Sequence, residues 1–193
     1  MRQITAYSAT KSQKRSLPDM PTDPIEIRRL LSTDAALYRD IRLEGLRLSP
    51  EAFGSTFERE NAQTLASFAE RLGNSDMFGA FHSSEIVGTA GILFASGTKE
   101  EHKGRLVGMY VRPSSRRAGV GRRLVEAIIE FAGQRIELMQ LSVVADNREA
   151  RRLYVSLGFV EYGLEKKALK QDGRYYDEVH MAKELHQREE QRG

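Results

Sequence analysis

Between Leu106 and Gly133 the hydrophobic period changes once, and that change restricts the fold more than any other part of the 193-residue sequence. Leu106 to Val111 is a continuous apolar run, suited to a buried strand, and Pro113 ends it. After a basic, glycine-bearing turn, Val120, Leu124, Ile128 and Ala132 recur at helical spacing, with Val125 and Ile129 beside them. A strand that feeds a long one-sided helix must lay that helix across a sheet, because neither element can hide its apolar side alone.

The flanking pattern agrees. Ile25, Ile27 and Leu30–Leu31 predict a first strand. Asp34 to Leu48 predicts a helix with Leu37, Ile41 and Leu48 on or near one face, stopped by Pro50. Pro50 to Gly54 opens a second helical stretch, and Leu65 to Leu72 is a third, closed by Gly73-Asn74. Met77 to Phe81 and Ile86 to Phe94 are β-rich runs around Ser83-Ser84-Glu85. Downstream come a strand over Ile136 to Val144 and a helix over Asn147 to Leu157, started by Asn147 and stopped by Gly158. Two strands follow, Phe159 to Leu169 and Tyr175 to Met181, around a Gln171-Asp172-Gly173 turn. Helices between strands call for crossovers and the late turn for antiparallel pairing. The expected fold is therefore α/β, a mixed, mostly antiparallel twisted sheet with helices on both faces.

Composition removes several classes of function. No stretch approaches the ~20 apolar residues that a membrane-spanning helix needs. With no cysteine, disulfides, thiolate zinc sites and a cysteine nucleophile are excluded, and a reducing cytoplasm is the expected location. The histidines, His82, His102, His180 and His186, have no metal-pair spacing, so no metal is expected. The net charge of +3 comes largely from the start of the chain and from Arg112 to Arg123. Residues 1–24 read as a flexible basic N-terminal tail, with Arg2, Lys11, Lys14 and Arg15 and no acid before Asp19. Residues 25–186 read as the folded domain and 187–193 as a C-terminal tail. Few aromatics interleave with the arginines, which argues against a nucleic-acid partner.

The turn itself carries chemistry. In Arg112-Pro113-Ser114-Ser115-Arg116-Arg117-Ala118-Gly119-Val120-Gly121, glycines lead into a helix whose first N–H groups have no intrahelical acceptor. Those donors and the positive end of the helix dipole form an anion site. Gly119 and Gly121 remove side chains that would hold a phosphate off the backbone, while Arg116, Arg117, Arg122 and Arg123 supply fixed positive charge. Neither the Walker loop nor the Rossmann fingerprint fits, since Leu124 stands where the last Rossmann glycine would be.

What remains, Arg116-x-x-Gly119-x-Gly121 between a strand and a long helix, resembles the pyrophosphate loop of the GCN5-related N-acetyltransferase (GNAT) superfamily. The strand Leu106-Val107-Gly108-Met109-Tyr110-Val111 resembles the family's preceding strand. Asn147, Ala150, Tyr154 and Gly158-Phe159 resemble its later motif. The resemblance implies a GNAT-like domain over residues 25–186 and transfer of an acetyl group from acetyl-CoA, a cosubstrate, to a primary amine of a small molecule or protein. A non-catalytic acyl-CoA-binding sensor is the alternative. A second copy of the chain is a conceivable partner.

Acetyl transfer to an amine needs a neutral nucleophile, a stabilised oxyanion and a proton for the leaving thiolate. An amine of pKa about 10.4 is neutral only about once in 2,500 at pH 7, so a base or a water path is expected. By resemblance, Tyr154 meets the sulfur, backbone amides among Met109, Tyr110 and Val111 meet the oxyanion, and Asn147 holds the pantetheine arm. Arg116, Arg117, Gly119, Val120, Gly121 and Arg122 hold the diphosphate. No acid lies on the strand before the loop. Glu58, Glu60, Glu100 and Glu101 are the nearest alternatives, and each reads as a solvated surface charge, leaving water as the remaining base.

Overall fold

The computed structural model describes residues 25–185, and the two tails expected at 1–24 and 187–193 lie outside them. Seven strands form one sheet in the order β1-β2-β3-β4-β5-β7-β6. These are β1 (Glu26–Arg29), β2 (Asp76–His82), β3 (Glu85–Phe94), β4 (Lys103–Val111), β5 (Leu138–Val144), β6 (Val160–Gln171) and β7 (Arg174–Glu184). All neighbours pair antiparallel except β4 and β5, which run parallel. Between β1 and β2 lie α1 (Ala35–Leu48), α2 (Phe57–Asn61) and α3 (Leu65–Gly73). Helix α4 (Val120–Ala132) links β4 to β5, and α5 (Arg148–Ser156) links β5 to β6. Among the described residues, no helix is long and apolar enough to cross a membrane.

Each face of the sheet has its own apolar layer. Val120, Leu124, Val125 and Ile128 of α4 and Tyr154 of α5 pack with Leu106, Met139, Leu141, Val143, Val179 and Met181. On the opposite face, Tyr38 and Ile41 of α1 and Phe68 and Leu72 of α3 pack with Met77, Phe81, Ile86 and Tyr110. Helices thus cover both faces, as the alternation of periods requires.

Local details depart from the expectations. Leu37 and Leu48 are exposed, whereas Ile41 is buried as expected, together with Tyr38, Gly45 and Leu46. The reason is a ring: a Cβ at position 45 would lie 3.1 Å from Tyr110 Cδ2, so the small residue marks the side of α1 that meets β4. The stretch from Pro50 forms only a 3-10 turn, Pro50–Ala52, before α2 starts at Phe57, capped by Thr56. Asp172 and Gly173, at φ 49° and 80°, make the expected tight β6–β7 turn.

Candidate acyl-donor site

Strands β4 and β5 touch only at one end. Lys103, Gly104 and Arg105 pair with Leu138, Met139 and Gln140, and beyond that no pairing joins the two strands. A bulge in β4 accompanies the divergence: Thr89 faces Tyr110 while Gly91 faces Val107, and Gly108 sits at φ +63°. Bulges bend a strand, and glycine adopts this conformation without a Cβ penalty. The bulge also reverses side-chain parity. Leu106, Met109 and Val111 all pack toward α4 and α5, whereas Tyr110 packs toward α1.

Backbone direction follows from the same count. Arg112 donates its N–H to Val87 of β3 at 2.9 Å, so the N–H of Val111, one residue earlier, points to the other edge, into the gap beside β5. That amide is a donor poised where charge could be received. The carbonyl of Val111 accepts from Arg116 Nε at 3.0 Å, which ties the turn to the end of the strand.

The turn delivers the first residues of α4 to the mouth of this gap. Arg117 and Gly119 lie at φ 64° and 76°, on either side of Ala118, so successive N–H groups curl inward. Arg123 donates the first helical bond, back to the Gly119 carbonyl at 3.1 Å. The amides of Val120, Gly121 and Arg122 precede it and have no intrahelical acceptor. Nothing lies within 4 Å of a Cβ built on Gly119, so the space beside the residue that starts the helix is open. Val120 meanwhile anchors the helix end in the core at 1% exposure.

The acetyltransferase (GNAT) family matches residues 42–159. The chain belongs to this family. An uncharacterised protein of Mycobacterium leprae (strain TN) is 36% identical over 111 residues, 56% of this chain, and the match spans only 30% of that longer protein. Solved GNAT structures share the fold. The acetyltransferase of the GNAT family from Streptococcus pneumoniae superposes with a TM-score of 0.75 at 22% identity, covering 84% of this chain and 100% of its own. Ribosomal-protein-alanine N-acetyltransferase from Brucella melitensis gives 0.73 at 24%, covering 83% and 99%. A GNAT superfamily phosphinothricin acetyltransferase from Sinorhizobium meliloti, solved with acetyl-CoA, gives 0.73 at 20%, covering 83% and 88%.

In this GNAT protein the residues expected at the site divide into two sets. Gly119, Val120, Gly121, Met109 and Val111 gather at the gap, but Gly121 has a packing reason of its own. A Cβ there would meet Met109 Cε at 2.9 Å and Leu153 Cδ2 at 3.3 Å, so this glycine lets β4, α4 and α5 converge. Several arginines are engaged within the protein. Arg122 reaches Ser156 Oγ at 2.7 Å and Glu126 at 3.2 Å, clamping α4 to α5. Arg117 lies 3.9 Å from Glu149 with both side chains exposed, a pair of little energetic weight. Asn147 caps α5, its carbonyl oxygen accepting from Ala150 N–H at 3.1 Å, which leaves its amide nitrogen free to donate. Tyr154 is 5% exposed, edge-to-face with Phe159 at 5.7 Å, and burial raises its pKa above the ordinary phenol value of 10.0. Among the described residues no hydrogen bond to its hydroxyl is found. Tyr110 points the other way. Its hydroxyl donates to Glu44 at 3.0 Å, and burial first, then that carboxylate, push its pKa up to about 12.

The alternative bases fare differently. Glu60 is no solvated surface charge: it is buried between Arg42, 2.8 Å away, and Arg71, 2.7 Å away. Burial alone would raise its pKa, but the two guanidinium partners outweigh it and hold the pKa near about 2. A carboxylate so held cannot act as a base at neutral pH. Glu58, Glu100 and Glu101 are exposed. Glu44, which nothing in the sequence pattern singled out, accepts from Arg112 as well as from Tyr110, and Arg112 also pairs with Glu85. A cavity of about 390 Å³ lies elsewhere, beside α5, and its charged walls are the pairs Arg151–Glu161 and Lys166–Asp177. With those charges already matched, it lacks the free donors found at α4.

Proposed function

We propose that this protein transfers an acetyl group from acetyl-CoA to a primary amine of a small molecule or a protein. One observation carries the reading: free amides at the head of α4 open directly onto the gap where β4 leaves β5. The first feature suits a diphosphate, and the second is a slot between strands that suits a slender pantetheine arm. The Val111 N–H in that slot suits the oxyanion of the tetrahedral intermediate. Tyr154 suits the leaving thiolate, because burial keeps its phenol protonated across the working pH range. The Gly119–Arg122 amides, with Arg116 and Arg117 alongside, form the proposed diphosphate cradle, and the Asn147 amide nitrogen is the proposed contact to the arm.

The nature of the acceptor is open to a panel test. Ribosomal-protein-alanine N-acetyltransferases are among the proteins of similar fold, so peptide N-termini belong in the panel beside small amines and amino acids. The protein is incubated with acetyl-CoA and each amine, free thiol is followed with time, and the acetylated product is identified by mass spectrometry. Amine-dependent thiol release is expected for at least one class. Saturable acetyl-CoA binding without release for any amine would instead favour the sensor reading.

A further inference from the structure

The acceptor ammonium has to lose a proton, yet Glu60 is held by two arginines, Glu44 is engaged by Tyr110 and Arg112, and Glu58, Glu100 and Glu101 are solvent-exposed. Strand alternation points to another group. Leu141 and Val143 of β5 face the α4–α5 core, so Ser142 between them faces the opposite side of the sheet. Ser142 lies two positions past Gln140, the last β5 residue paired with β4, and so stands beside the gap. A donor lodged by its diphosphate at α4 enters the gap from the α4–α5 side. The acceptor then has the other side, the side of Ser142, from which to reach the thioester carbon.

Ser142 does not stand alone there. It pairs in register with His180 of β7, and its Oγ lies 2.9 Å from His180 Nδ1. His180 Nε2 lies 3.3 Å from Glu165 Oε2 of β6. The imidazole stacks on Tyr162, with ring centres 5.9 Å apart, and Tyr162 in turn accepts a hydrogen bond from Gln140 at 3.0 Å. Three strands thus hold the ring between its two partners. Other charges face the group too. Glu178 of β7 pairs in register with Glu165, and its pKa is raised by burial and then by Glu165, against the opposing influence of His180 and of Arg105 on β4. The local balance is acidic, which suits an arriving ammonium.

We propose that Ser142, His180 and Glu165 form the proton relay that deprotonates the acceptor amine. The reading rests on the acetyl transfer proposed above. As the ammonium gives a proton to Ser142 Oγ, the Ser142 hydroxyl proton passes to His180 Nδ1. Glu165, whose carboxylate lies 3.3 Å from His180 Nε2, offsets the imidazolium charge. The freed lone pair forms the C–N bond at the thioester carbon, the C–S bond breaks, the thiolate takes its proton from Tyr154, and the acylated nitrogen gives up its second proton, through water, to restore the Tyr154 phenol. His180 then returns its proton to water. An imidazole nitrogen can both accept a proton and hand it on, which suits the ring to this place in the relay.

The test compares the wild type with His180→Gln, Ser142→Ala and Glu165→Gln. Acetyl-CoA affinity is measured by calorimetry for all four, and kcat/KM against pH with the amine found in the panel. Affinity is expected to be unchanged in every variant, which also shows that each has folded. Ser142→Ala and His180→Gln should lower kcat/KM by ~10²-fold at neutral pH, the gap closing as pH approaches the pKa of the amine itself. Glu165→Gln removes the charge that stabilises imidazolium, so the ascending limb of the profile should move to lower pH. Wild-type turnover with an unaltered rate and limb in His180→Gln would overturn the relay alone. Wild-type binding of acetyl-CoA without any amine-dependent turnover would overturn the underlying reaction as well.

Discussion

Glu60→Gln should lower the stability of this protein by about 3 kcal/mol at pH 7, and by far less in acid. The magnitude comes from the carboxylate's pKa, about 2 in the fold against an ordinary 4.5. At about 1.4 kcal/mol per pH unit, that gap of about 2.5 units corresponds to roughly 3 kcal/mol. The sign is that of a depressed acid. The stabilisation is fully present above pH 4.5 and is lost as pH falls from there through about 2. With the Glu60 side chain only 6% exposed and its partners at 13% and 36%, solvent screens the pairs little. Glutamine keeps the shape but leaves two guanidinium groups without their counter-charge, a situation that costs several kcal/mol in buried settings. The loss should also loosen α1 against α2 and α3, because Arg42 of α1 and Arg71 of α3 both grip Glu60 of α2. Urea unfolding of wild type and variant from pH 7 down to pH 3 provides the assay. Taking the difference between the two curves cancels every other titrating group. A difference that stays constant across that range, or stays below about 1 kcal/mol at pH 7, would refute the claim that charged Glu60 holds these helices together.

Two further substitutions probe the donor site. Gly119→Asp places a carboxylate over the free amides of α4, where it can occupy them intramolecularly; coenzyme A affinity should fall by at least ~10-fold, about 1.4 kcal/mol, in calorimetric titration. Gly119→Ala supplies the backbone control, costing ~1–2 kcal/mol of stability through its positive φ but sparing affinity, and equal affinities for the two variants would dismiss the anion site. Tyr154→Phe should leave acetyl-CoA affinity and stability nearly unchanged, since the hydroxyl has no partner to lose among the described residues, while kcat drops by ~10²-fold. Unaltered kcat at every pH would reduce Tyr154 to a packing residue.

The elements that form the proposed donor site were legible in the sequence because their signals are local. The strand, the turn and α4 are consecutive, so period and glycine placement suffice to read them. Asn147 announces the start of α5 because a cap is a contact between near neighbours in the chain. The acceptor side was illegible for the converse reason. Ser142 and His180 are cross-strand partners only because β7 inserts between β5 and β6, an order that adjacency in the chain does not reveal. Glu60 looked like a surface acid because both its partners come from other helices. Gly121 was read for phosphate access alone, and its contacts with Met109 and Leu153 depend on elements that meet only in three dimensions.

The bulge at Gly108 joins these two sides. Strict alternation would send Leu106 and Met109 to opposite faces, yet both pack against the α4 layer. One extra residue in β4 lets the strand serve the core before the bulge and the gap after it. Met109 and Val111 then line the side where the donor is proposed to enter, and the Val111 amide looks into the opening. Tyr110 turns to α1 and ties it to β4 through Glu44. From Leu106 on, just before the bulge, β4 no longer pairs with β5, so the β5 residues past Gln140 have one edge without a strand. Ser142 owes its place at the gap to that lost pairing. The inserted residue on β4 therefore bears on the direction of the Val111 amide, and the pairing lost beside it on the proposed access of Ser142 and His180, although neither is near it in the chain.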